Sequence, residues 1–164
     1  MARGMGFFDR RDNLAGAIYG TVLVTAVEVG EWADPNVTPL EGVISLLVTT
    51  LVFWIAHVYA DTVAARFHEG RRSWHLEFVD KAAHEWPLVE SGVPAMLALL
   101  LGALGVLSRN TAFALAAWMG VASLFVWGLV IARREHARLR MVLLTGVVNA
   151  LFGLAIVGLK LLIE

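Results

Sequence analysis

The chain has no cysteine, so disulfides, thiolate metal ligands and cysteine nucleophiles are all excluded. Charge is scarce as well. Only 16% of the 164 residues are charged while 59% are apolar, against about 25% and 45–50% in ordinary soluble domains. So short a chain cannot hide that much apolar surface from water, because its surface-to-volume ratio is too high. The formal net charge of -1 argues against a nucleic-acid partner, so none is expected. No phosphate loop, nucleophile elbow or catalytic triad is present, which argues against an enzyme. The first twelve residues do not lead into a short apolar run with a small-residue cleavage site, so the first apolar stretch is expected to remain as an anchor.

Long apolar runs are what the chain does have. A membrane-spanning helix needs about 20 such residues, and five segments qualify: about 14–30, 43–65, 88–107, 112–132 and 141–163. The expected fold is therefore a single all-α, polytopic membrane domain of five transmembrane helices. Lys and Arg alternate with them. Arg3, Arg10 and Arg11 precede the first span; Arg66, Arg71, Arg72 and Lys81 separate the second from the third; and Arg133, Arg134, Arg138 and Arg140 separate the fourth from the fifth. Only Arg109 and Lys160 fall on the other side. Such asymmetry puts the N-terminus in the cytoplasm and the C-terminus outside, with a bacterial inner membrane the expected location.

Two connections carry further information. The external loop from Glu31 to Glu41 holds Asp34, Pro35 and Pro39 and no base, an acidic turn made rigid by its prolines. Between the second and third spans, helical spacing over 74–86 puts Glu77, Asp80, Lys81 and His84 on one face and Phe78, Val79, Ala82 and Trp86 on another. That pattern predicts a short amphipathic cytoplasmic helix lying in the membrane interface.

Ionisable groups inside hydrocarbon are costly and mark pathways or sites. His57 and Asp61 in the second span are four residues apart and share a helical face. Their alternative role is structural, with the imidazole bonded to a nearby carbonyl. Glu90, near the start of the third span, falls at about the depth of Asp61. His57, Asp61 and Glu90 together would suit Fe(II), Mn(II) or Zn(II). Glu28 is a candidate pathway acid if the first helix extends past it, and a wet surface acid if not. Tyr19, Thr25, Thr145 and Asn149 are further polar positions within spans, Asn149 best suited to joining helices. His68, Glu69, His75 and Glu85 add to the polar cytoplasmic segment. Gly16 and Gly20 make a GxxxG spacing, and Gly146, Gly153 and Gly158 line the fifth span, so helices or subunits can approach closely.

Three stretches carry a family resemblance: Ala17-Ile-Tyr-Gly20-Thr-Val-Leu-Val-Thr25; His84-Glu-Trp-Pro87 with Leu97-Ala-Leu-Leu-Leu-Gly102-Ala-Leu-Gly105; and Arg140-Met-Val-Leu-Leu-Thr-Gly146-Val-Val-Asn-Ala150. In this order they resemble the vacuolar iron transporter family, five-span metal/proton exchangers with a dimeric bundle. The chain also looks like small integral membrane proteins of high-GC bacteria. The family's first-span aspartate has no counterpart among Gly20 to Thr25, and Val58 stands where it has glutamate. His57 and Asp61 would then serve as ligands. What the resemblance and the residues imply is an oligomeric, preferentially dimeric, transporter of a divalent cation coupled to protons. An oligomeric proton or monovalent-cation channel is the alternative, and a non-transporting membrane scaffold the third.

Overall fold

A computed structural model describes residues 11–68 and 74–163, with side chains placed over 14–64 and 74–160. Arg3, Arg10, Glu69, Arg71 and Arg72 lie outside the described residues, as do the side chains of Arg11, Arg66 and His68.

The described residues form helices joined by short turns. These are α1 (Arg11–Ala33), α2 (Pro39–His68), α3 (Trp74–His84), α4 (Trp86–Glu90), α5 (Val93–Ala103), α6 (Arg109–Arg134) and α7 (Leu139–Ile163). Among the described residues there is no strand. Four helices, α1, α2, α6 and α7, are long and apolar enough to cross a membrane. A fifth crossing exists only if the bent run from α3 to α5 counts as one.

The third apolar segment differs from the unbroken span expected over 88–107. The axis turns by 50° between Trp74–Glu90 and Val93–Ala103. Pro87 and Pro94 sit in the first turns of α4 and α5, and a proline lacks the N–H that a continuing helix would use and crowds the carbonyl four residues earlier. By itself α5 is roughly 16 Å long at 1.5 Å per residue, about half the thickness of a hydrocarbon core.

Neighbouring helices run in alternating directions. Tyr19 meets His57 while Glu31 meets Gly42, so α1 and α2 are antiparallel. In α6 and α7, Gly128 faces Gly146 and Val121 faces Gly153. The α1–α2 turn, the start of α6 and the end of α7 thus meet at one end. The guanidinium of Arg109 fastens that end: Nε donates to the Val37 carbonyl at 2.7 Å, and the terminal nitrogen donates to the carbonyls of Glu31, Trp32 and Asp34. Its carbon lies 5.0 Å above the Phe113 ring. The Glu31 and Trp32 carbonyls lie in the last turn of α1, where no i+4 donor of the helix reaches them, and those of Asp34 and Val37 lie in the turn that follows. Arg109→Ala is expected to lower the melting temperature in detergent by about 5–10 °C, the equivalent of about 2–3 kcal/mol for several charge-assisted bonds. Arg109→Lys restores less than half of that, since an ammonium cannot span the fork.

The outer surface is apolar, and the interior combines an apolar core around Leu46, Leu99 and Phe113 with several polar side chains. Ile44, Val48, Val52 and Ile55 of α2 and Met141, Leu144, Leu151 and Phe152 of α7 are each more than half exposed. Soluble proteins rarely expose apolar patches beyond a few hundred Å². Buried within the bundle are Thr21, Thr25, Glu28, Thr50 and Thr62. An apolar exterior of this extent is compatible with an integral membrane protein. Helix α3 is mixed: Glu77 is buried and Asp80 exposed, while Leu76 and Val79 are 65% and 63% exposed.

Candidate functional site

Thr21, Thr25 and Glu28 are spaced i, i+4 and i+7 along α1, so they fall on one face. All three are buried, at 1%, 0% and 0% exposure. The two hydroxyls are satisfied locally: Thr21 donates to the Ala17 carbonyl at 2.7 Å and Thr25 to the Thr21 carbonyl at 2.8 Å. Threonine can thus sit inside an apolar bundle without leaving a donor unpaired. Gly120 of α6 lies against the Thr25 hydroxyl, and a Cβ there would collide with it. The missing side chain lets α6 close over the polar face of α1.

Glu28 has no such local partner. Both carboxyl oxygens are buried and neither has a hydrogen-bond partner. Helix α1 continues to Ala33, so Glu28 is an interior residue about one and a half turns from the helix end rather than a wet acid beyond it. One turn on, Glu31 turns toward Gly42 of α2, where a Cβ would lie 3.2 Å from its carboxyl oxygen. That oxygen is also buried without a partner. An unpaired carboxylate in a dry interior is one of the most expensive groups a fold can hold. Holding Glu28 there as a bare carboxylate is therefore costly, and a bound cation or proton would offset that cost.

His57 and Asp61 lie toward the other end of α2. The Nδ1 of His57 is 3.1 Å from the Phe53 carbonyl, to which it donates, leaving Nε2 for another partner. The imidazole packs on Tyr19 with ring centres 5.2 Å apart. Asp61, His84, His57 and Lys81 all lie within electrostatic range of Glu85, at the α3–α4 junction. Glu85 in turn faces Gly16 of α1, whose Cβ would be 3.4 Å from its carboxyl oxygen.

Glu90 turns elsewhere. It lines a cavity with Pro87, Ser91, Pro94, Ser123 and Trp127, against α6. His57, Asp61 and Glu90 are thus not gathered into one ligand set, and among the described residues no group of three or more His, Asp or Glu side chains is arranged to hold a metal ion. Similar depth placed these residues at one level, but their directions around the bundle differ. Tyr19 is 47% exposed. Asn149 donates to the Thr145 carbonyl at 3.0 Å and packs beside Gly128, as suits a residue joining α6 to α7.

Thr21 and Gly120 are not among the candidates that the sequence offers, and Glu85 enters there only as one of the polar residues of the cytoplasmic segment. The i, i+4, i+7 spacing of Thr21, Thr25 and Glu28 is the signal that would have found the first of them. Fold and site together define an all-α protein with several helices suited to crossing a membrane and an unpaired acid in its interior. Comparison with known proteins found no matching family model, no similar curated protein and no similar solved structure.

Proposed function

We propose that this chain is an ion-translocating membrane protein, carrying protons or monovalent cations, in which Glu28 binds and releases the ion. One observation carries the reading: a wholly buried carboxyl with both oxygens unpartnered, on the same face as two buried threonines. Such a group is retained at a cost to stability, and ionisable residues inside a bilayer are by default functional. Among the described residues no group of three or more His, Asp or Glu side chains is arranged to hold a metal ion, which favours a proton or a monovalent ion over Fe(II), Mn(II) or Zn(II) at His57, Asp61 and Glu90.

In this reading the chain crosses a bacterial inner membrane five times, the broken run α3–α5 being one crossing. Its N-terminus is cytoplasmic and its C-terminus external, by the excess of Lys and Arg on one side. With so few helices per chain, a homo-oligomer is needed to enclose a pathway. The group of His57, Asp61 and Glu85 then faces the cytoplasm, and Glu28 and Glu31 face the outside.

Reconstitution into vesicles tests this directly. With a pH-sensitive dye inside and a potential set by potassium and valinomycin, the protein is expected to move protons faster than empty vesicles do. An imposed sodium gradient that drives proton movement at zero potential would identify exchange, whereas proton flux that follows potential alone would identify a channel. If protons, sodium and potassium all fail to move while Fe(II), Mn(II) or Zn(II) does, the divalent-metal reading replaces this one.

A further inference from the structure

A separate cavity system lies on the outer side of the bundle, where α4 and α5 meet α6. The smaller cavity, about 150 Å³, is bounded by Pro87, Glu90, Ser91, Pro94, Ser123 and Trp127. A larger one, about 310 Å³, adjoins it, shares Pro94, Ser123 and Trp127, and is otherwise walled by Met119, Ala122 and Val126. The break between α4 and α5 creates this space. Because Pro87 and Pro94 turn the axis by 50°, the broken run cannot lie flush along the straight α6.

Its chemistry is unusual for so apolar a place. The Oε2 oxygen of Glu90 is buried and has no hydrogen-bond partner. The Ser91 hydroxyl is already committed to the Leu88 carbonyl at 2.6 Å. Among the described residues no Lys or Arg lines either cavity. A carboxylate oxygen, an indole and apolar walls are thus presented together, with no cation of the protein's own to pair with the acid.

We propose that this groove binds a lipophilic organic cation, of the quaternary ammonium or phosphonium kind, its charge held by Glu90 and Trp127 and its apolar arms by Met119, Ala122 and Val126. Three observations select that class. Charge complementarity favours a cation, since the one titratable group among the described residues lining the two cavities is an acid. An indole beside a carboxylate suits a cation with diffuse charge, because ring faces attract such ions when both are removed from water. Depth favours a cation that enters hydrocarbon over a lipid headgroup: Trp127 lies 7 residues from Arg134 within α6, or roughly 10 Å along a helix axis. A cation that itself partitions into hydrocarbon reaches that level. A pocket of this size matches the low end of small-molecule sites. The inference does not rest on ion movement through Glu28.

Equilibrium dialysis of the purified full chain in detergent against radiolabelled tetraphenylphosphonium tests the proposal. Saturable binding is expected, about one cation per chain. Glu90→Gln is expected to weaken it by about tenfold or more, and Trp127→Leu by about three- to tenfold, as for loss of a desolvated cation–ring contact. Ala122→Trp fills the larger cavity from an exposed position and should abolish binding, an independent variant if Glu90→Gln does not fold. The neutral analogue triphenylphosphine oxide should compete poorly. Equal competition by that analogue, or unchanged affinity in both Glu90→Gln and Ala122→Trp, overturns the proposal. Glu28→Gln should leave binding unaltered, so failure of this site and failure of the Glu28 reading are told apart.

Discussion

Glu28→Gln is expected to reduce ion flux in reconstituted vesicles to that of empty ones, and Glu28→Met to do the same while making the protein more stable. The two effects have a single cause. Glutamine keeps the size and polarity of the side chain but can neither release a proton nor pair with a cation, so an ion that must occupy position 28 has nowhere to bind. Methionine goes further and removes the polar atoms. Both Glu28 oxygens are buried without partners, and replacing an unsatisfied buried polar group with an apolar one of similar shape recovers about 1–3 kcal/mol. For a chain of this length that is a rise of about 2–8 °C in melting temperature. A gain in stability with a loss of function is the mark of a group kept for chemistry. If Glu28→Gln conducts normally, or if Glu28→Met melts below the parent protein, the acid is a packing residue and the proposed function fails.

The second large effect is expected at Gly20. A Cβ built there would lie 2.6 Å from the Leu88 carbonyl oxygen and would overlap the Ser91 hydroxyl. The oxygen belongs to the backbone of α4, itself held by proline, so it cannot swing aside. Gly20→Val should therefore push α1 from α4 and cost about 3 kcal/mol or more, read as a fall of about 6–12 °C in melting temperature. Gly158→Ala is the contrasting case. No atom lies within 4 Å of a Cβ there, and alanine favours helix over glycine by about 0.5–1 kcal/mol, so the melting temperature should hold or rise slightly. Equal effects at the two positions would mean that α1 does not depend on close approach to α4. The GxxxG spacing of Gly16 and Gly20 is thus used inside the chain, to seat α1 against Glu85, Leu88 and Ser91, and is not free to join subunits on that face.

The long helices were legible because composition alone specifies them. Runs of Leu, Val, Ala and Ile bounded by charges put α1, α2, α6 and α7 within a few residues of their observed limits. The break in the third segment had its signal too, since Pro87 and Pro94 bracket Ser91-Gly92. An apolar count passes over that signal because it weighs hydrophobicity and ignores backbone donors. The site was harder to read. Depth along a helix follows from residue number, but direction around the bundle depends on how helices are rotated against one another. His57, Asp61 and Glu90 share a level and still diverge, His57 toward Tyr19 and Glu90 toward Trp127. The reverse held for Glu28. Its depth could not be settled while the end of α1 was unknown, and the helix proved to run five residues past it. In α3, neither expected face is covered as a whole: Glu77 is buried while Asp80 of the same face is exposed, and Val79 of the other face is exposed while Phe78 is half-buried, because contact with the bundle, not amphipathic pattern, decides which residues are covered.

Arg109 gives the bundle a mechanical asymmetry. A single guanidinium ties the tail of α1, the following turn and the head of α6 into one knot, and Lys160 of α7 adds a second rivet by sitting 3.8 Å from the centre of the Trp32 ring. Loosening that end by removing Arg109 would therefore free three segments at once, whereas at the opposite end the Trp54 indole bond to the Ala82 carbonyl, 3.0 Å long, joins only α2 and α3.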